Sequence, residues 1–289
     1  MTRTVASGKA VVTVWVGVLF GITAIGILPL FVYRLDLSTL TFSTPVPVVA
    51  GIGIELTAYA PTLAALLVAG LMPGAGGIRR LLRPVLRWRL GPQWYLLALV
   101  GPTVLFLVGD LVRLLLNAPL PAQWLALPGP ATIAFLVGAL IAGSFGEEVG
   151  WRGLGQARLQ VPYGALTAAV VVGALWSLWH LWPVVAPGGL GDTTLCDVVL
   201  TFVRLIATAI LYAWLYNSTR GSLLIVMLAH AGHNLAANFV PLAGVGNHAD
   251  PITAALYVAA AIVVLALAGP RWLSRIHEYP ELVPARPLG

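Results

Sequence analysis

Long apolar runs dominate this chain, at about residues 11–33, 47–72, 94–116, 131–150, 164–186, 198–216, 221–240 and 252–269. A helix rises about 1.5 Å per residue, so about 20 apolar residues cross the hydrocarbon core of a bilayer. In lipid, backbone N–H and C=O groups must be satisfied internally, which leaves helices or a closed barrel. Barrel strands alternate apolar and polar residues over about 10 positions, and these runs do not. The breaks between runs carry Pro, Gly and charge, as at Pro73-Gly74-Ala75-Gly76-Gly77 and Pro128-Gly129-Pro130. Composition agrees: only 9% of residues are charged, against about 25% in an ordinary soluble domain. The expected fold is an all-α polytopic membrane bundle of about eight transmembrane helices, one membrane domain over residues 1–289. The first run follows Arg3 and Lys9. Its apolar core is longer than the roughly 7–15 residues of a signal peptide, so it reads as a retained span.

The basic residues predict orientation, because Lys and Arg gather on the cytoplasmic side. With the N-terminus inside, the inner segments hold Arg3, Lys9, Arg79, Arg80, Arg83, Arg87, Arg89, Arg152, Arg158, Arg220, Arg271, Arg275 and Arg286, 13 of the 16 basic residues. Only Arg34 and Arg113 fall outside, with Arg204 inside a span. Both termini are therefore expected in the cytoplasm, with the chain in the cell membrane. Because these charges sit between spans, the net charge of +6 points to topology and anionic lipid, not nucleic acid. The basic segment 78–90 reads either as a short interfacial amphipathic helix or as a partly helical loop. Cys196 is the single cysteine, which excludes an internal disulfide and a cysteine-based metal site.

A charge inside a bilayer costs several kcal/mol and usually faces the bundle interior for a functional reason. The clearest such groups are Glu147-Glu148, His180, and His230 with His233 and Asn234. Adjacent helical residues point about 100° apart, so the two glutamates face different ways. Arg152 is four residues beyond Glu148 and reaches it along one face. Glu147 is left to point elsewhere. His230 and Asn234 are also four apart and share a face, and the intervening Ala231 and Gly232 permit a close neighbour. Taken alone, each motif has a bland explanation: a helix end leaving the membrane, or polar glue between helices. Depth joins them. From the inner ends of their runs, Glu147, His180 and His230 lie about 18, 25 and 15 Å deep, all near mid-membrane. Among the other charges, Asp110 and Arg113 are expected to pair, Arg204 to pair with a buried acid such as Glu55, and Asp197 to mark a helix start.

Three motifs in this order resemble those of the CPBP family, the type II CAAX prenyl proteases and bacteriocin-processing membrane proteases. The family's Glu-Glu-x-x-x-Arg appears as Glu147, Glu148 and Arg152. Its Phe-x-x-x-His appears with Trp176 in place of Phe, then His180. Its His-x-x-x-Asn appears as His230 and Asn234. The resemblance covers a core of about 94–240 and implies hydrolysis of peptide bonds in or near the membrane, without implying a prenylated substrate.

On that resemblance, Glu147 and His180 activate a water, His230 and Asn234 stabilise the oxyanion, and Glu148 with Arg152 orients the site. Neither Ser144 nor Ser177 sits in a nucleophile–base arrangement. Glu147, His180 and His230 also suit a catalytic zinc, with three N/O ligands and a water. A metal-free glutamate mechanism uses the same residues, and both stand at this stage. So does a non-catalytic alternative, a membrane binding, scaffold or bacteriocin-immunity protein that holds a partner in the same pocket. A transporter is a third class, disfavoured because the chain has no repeated half.

Overall fold

The computed structural model describes residues 8–37, 44–127, 129–189, 193–241 and 249–280. Its helices, in chain order, are α1 (Gly8–Val32), α2 (Val48–Ala58), α3 (Ala60–Leu71), α4 (Ile78–Leu82), α5 (Pro92–Leu115), α6 (Pro130–Glu148), α7 (Ala157–Tyr163), α8 (Ala165–Trp179), α9 (Trp182–Val185), α10 (Leu195–Ser218), α11 (Leu223–Phe239) and α12 (Pro251–Ala268). A π-helical segment, Val149–Gln156, joins α6 to α7. All eight apolar runs are helical, and the described residues contain no strand. The chain is an all-α, multi-pass membrane protein. By length and apolarity, α1, α5, α8 continued through α9, α10 and α12 each suffice to cross a membrane. The bent pair α2–α3 is long and apolar enough to cross only when its two helices are taken together. The remaining two apolar runs form α6 and the shorter α11. Both termini, with Arg3 and Arg286, lie outside the described residues.

The run at 47–72 is not the single straight span that its composition suggests. Helices α2 and α3 bend by 69° at Tyr59. Pro61 explains the break: it has no N–H for the Thr57 carbonyl, and its ring crowds that carbonyl. The basic segment 78–90 is α4 followed by one 3₁₀ turn over Arg83–Leu86, with Leu81 buried and Arg79, Arg80 and Arg83 exposed. It is thus the partly helical alternative, not one continuous amphipathic helix.

Local chemistry sets the helix ends near the site. Thr194 and Asp197 form a reciprocal capping box that starts α10, the role expected of Asp197. Ser222 caps α11 and Asp250 caps α12, each accepting from a backbone N–H three residues on. The core around the π segment buries Trp15, Trp151, Leu154, Trp176, Trp179 and Leu223. Outward faces instead carry exposed Ile25, Leu28, Leu96, Val104, Ile262 and Leu267. Water disfavours so much exposed apolar surface, whereas lipid accepts it.

Two glycines inside the motifs permit close backbone approach. A Cβ on Gly150 would stand 2.3 Å from the Pro61 carbonyl oxygen, so the π segment packs directly on α3. A Cβ on Gly232 would stand 2.6 Å from the Ala98 carbonyl oxygen, so the close neighbour expected at Ala231-Gly232 is α5.

Candidate active site

Glu147 and Glu148 end α6 and, as adjacent helical residues should, face different helices. Glu147 faces α8, where the Trp176 indole N–H donates to its Oε2 at 2.7 Å. Glu148 is fully buried. Arg152, on the π segment, donates Nη1–H to both Glu148 oxygens, at 2.9 and 3.0 Å. His230 of α11 places Nδ1 2.9 Å from Glu148 Oε1. Since an ionised carboxylate only accepts, Nδ1 carries the proton. The other His230 nitrogen, Nε2, then faces Glu147 Oε1 across 4.0 Å, beyond direct hydrogen bonding.

Arg152 is also fully buried. Its guanidinium lies 4.7 Å from the Trp176 ring centre and 4.8 Å from that of Tyr212. Cation–π attraction from these two adjacent rings offsets the lack of a hydrogen-bond partner for Nε and Nη2 among the described residues. Glu148, held by Arg152, in turn sets the His230 tautomer, the way an outer carboxylate commonly orients a reacting imidazole.

His180 caps the C-terminus of α8. Its Nδ1 stands 2.9 Å from the Trp176 carbonyl oxygen, so Nδ1–H donates and Nε2 is left as an acceptor. The rings of His180 and His230 each meet Trp176 edge to face at 5.4 Å. Trp176 therefore stands between the two histidines. Asn234 lies one turn beyond His230 on α11 and is half-buried. Its carbonyl accepts from Asn238, and its side-chain amide makes no hydrogen bond among the described residues.

These side chains join Glu147, Glu148, Arg152, Trp176 and His230 directly, with His180 and Tyr212 attached through Trp176 and Arg152. In the sequence Trp176 simply stands in place of the Phe of the motif. Its indole N–H is a donor that Phe lacks, and the residue type alone carried that signal. Tyr212 had no sequence signal, because its role depends on α10 meeting the π segment.

Glu147, His180 and His230 have the donor chemistry of a zinc site, and both histidines keep Nε2 available. Convergence is another matter. Among the described residues, no three His, Cys, Asp or Glu side chains gather closely enough to hold an ion. Among the described residues the arrangement does not form a three-ligand metal cage.

A cavity of about 300 Å³ reaches the site at His180. Its walls include Phe106, Val184, Thr201, Arg204 and Thr253. Arg204 does not pair with Glu55, which is exposed on α2. Instead its Nη1 meets His233 Nε2 at 3.0 Å, and His233 Nδ1 bonds the Tyr257 hydroxyl. Asp110 and Arg113 do approach, at 3.8 Å, but the nearer partner of Arg113 is Asp250.

Residues 129–236 match the family model described as Type II CAAX prenyl endopeptidase Rce1-like. That window runs from the start of α6 into α11 and contains all three motifs. Among curated proteins, CAAX prenyl protease 2 of Methanococcus maripaludis is 25% identical over 131 residues, covering 44% of this chain and 47% of that protein. The match thus spans about half the length of that relative. Residues 129–236 thus resemble Rce1-like type II CAAX prenyl endopeptidases, as a segment of a multi-pass membrane protein.

Proposed function

We propose that this protein is an intramembrane endopeptidase that hydrolyses peptide bonds in or near the membrane with a water activated by Glu147. The observation that carries the reading is the buried arrangement of two carboxylates around His230. One, Glu148, is fully engaged by Arg152 and His230 Nδ1. The other, Glu147, keeps Oε1 unbonded and facing His230 Nε2. Carboxylates in such different surroundings suit different roles, one structural and one reactive.

In this mechanism Glu147 takes a proton from water as the oxygen attacks the carbonyl carbon. His180 Nε2, left as an acceptor, orients that water. The Asn234 amide donates to the oxygen that gains charge, and His230 does so once its Nε2 is also protonated, the imidazolium being held between Glu147 and Glu148; one such donor is commonly worth about 3–4 kcal/mol. The C–N bond then breaks as Glu147 returns its proton to the departing nitrogen, which regenerates the carboxylate. The substrate is a membrane-embedded or membrane-proximal polypeptide. The cell membrane, with both termini cytoplasmic, is the location that the basic residues favour.

The test compares newly formed protein termini in membranes from cells making the native chain or Glu147→Ala. Precursors should persist uncleaved in the variant while its folded level stays unchanged. Identical termini in both would favour the non-catalytic scaffold.

A further inference from the structure

Arg204 has no part in the hydrolysis proposed above. This residue lies mid-way along α10, inside a span, and lines the cavity that also exposes His180. A guanidinium at membrane depth normally pairs with a carboxylate or backbone carbonyls. Among the described residues Arg204 has no salt bridge. The one direct polar contact of its guanidinium there is His233 Nε2. An Arg N–H only donates, so His233 Nε2 accepts, and the His233 proton must sit on Nδ1, donated to the Tyr257 hydroxyl. His233 is therefore a neutral acceptor. Together with Tyr257 it aims the guanidinium without cancelling its charge.

The acidic groups of the same cavity are otherwise engaged. Asp250 accepts from Arg113 and from the Thr253 N–H and hydroxyl. Asp197 serves the capping box of α10 and accepts from the Ala249 N–H. Phe106, Val198 and Ala237 give the cavity apolar wall beside Thr201 and Thr253, and apolar surroundings strengthen a charge interaction. A planar guanidinium whose other donors have no partner among the described residues is in such a place a receptor for a planar anion, and a carboxylate matches its fork best.

We propose that Arg204 binds a carboxylate of the substrate chain and is a specificity-determining residue of the proteolytic site. Because His180 and Arg204 share one cavity of about 300 Å³, the carboxylate lies within a few residues of the scissile bond. It can be the free C-terminus of a peptide or an Asp or Glu side chain. This rests on the protease reading for its consequence, but the binding itself does not need catalysis.

The test uses the full chain in detergent, first with Glu147→Gln to block turnover. Its binding is measured to three fluorescent apolar peptides of equal length: one with a free C-terminal carboxylate, one amidated, and one amidated with a Glu near its end. At least one carboxylate peptide should bind about tenfold tighter than the plain amide, and which one identifies the source. Adding Arg204→Gln should erase that preference, while Arg204→Lys should keep part of it. Equal binding of all three peptides, binding of none, or a preference that survives Arg204→Gln overturns the proposal. If Arg204→Gln misfolds, loss of preference on amidation with the folded Glu147→Gln protein, and its retention in Arg204→Lys, still decide it. Cleavage of the same peptides is then measured with Glu147 intact. Preference in binding without any cleavage leaves Arg204 as the receptor and removes the protease reading. Cleavage without preference does the reverse.

Discussion

The Trp176 indole N–H donates to Glu147 Oε2 at 2.7 Å, so an aromatic residue one turn before His180 also holds the proposed base. Bonding to one oxygen leaves the other, Oε1, directed at His230. The CPBP pattern has Phe at this position, which supplies a ring without a donor. Trp176→Phe therefore isolates the N–H. A hydrogen bond to a charged group is worth about 1.5–3 kcal/mol, and about 1.4 kcal/mol is tenfold in rate. Cleavage should fall about tenfold or more with the melting temperature little changed. An unaltered rate in a steady-state assay would mean that Glu147 is positioned without Trp176.

Arg152 and Glu148 form a fully buried ion pair. Removing one member of such a pair costs about 3–5 kcal/mol, because the other is left charged and unpaired. Arg152→Ala should therefore lower the thermal midpoint in detergent sharply and reduce the folded yield. Glu147→Gln should stay close to the native midpoint while losing activity. The contrast separates the structural carboxylate from the reactive one.

Metal removal is informative because Glu147 and His230 approach at 4.0 Å while no trio of ligating side chains gathers among the described residues. Activity should survive extended dialysis against a chelator, with no stoichiometric zinc found by elemental analysis. Loss of activity that zinc restores would instead assign Glu147, His180 and His230 as its ligands.

Asp250, the cap of α12 just before its span, gives a pH dependence. Burial alone would raise its carboxyl, but the bonds from Arg113 and Thr253 outweigh burial and hold it below the ordinary aspartate range. A depressed folded value means that its stabilisation is present above the ordinary aspartate value, about 3.9. It is lost as pH falls below that and through the folded value. The native chain should lose thermal stability between about pH 5 and 3 more steeply than Asp250→Asn. Parallel curves would show that this cap contributes no linkage.

Periodicity and composition were enough to read the membrane class and the helical character of all eight runs, because lipid leaves the backbone few choices. Four-residue spacing was enough to pair Arg152 with Glu148, since that contact is local to one helical stretch. The three motifs also located the polar residues, but not which of them touch. That Trp176 binds Glu147, that Tyr212 covers Arg152, and that Arg204 meets His233 and not Glu55 were decided only when α8, α10 and α11 packed together. The bend at Tyr59 and the π segment after Glu148 belong to the same category of outcome. Local sequence sets which backbone groups and side chains a helix presents. Contacts between helices depend on their rotation and crossing, which emerge from packing over the whole bundle.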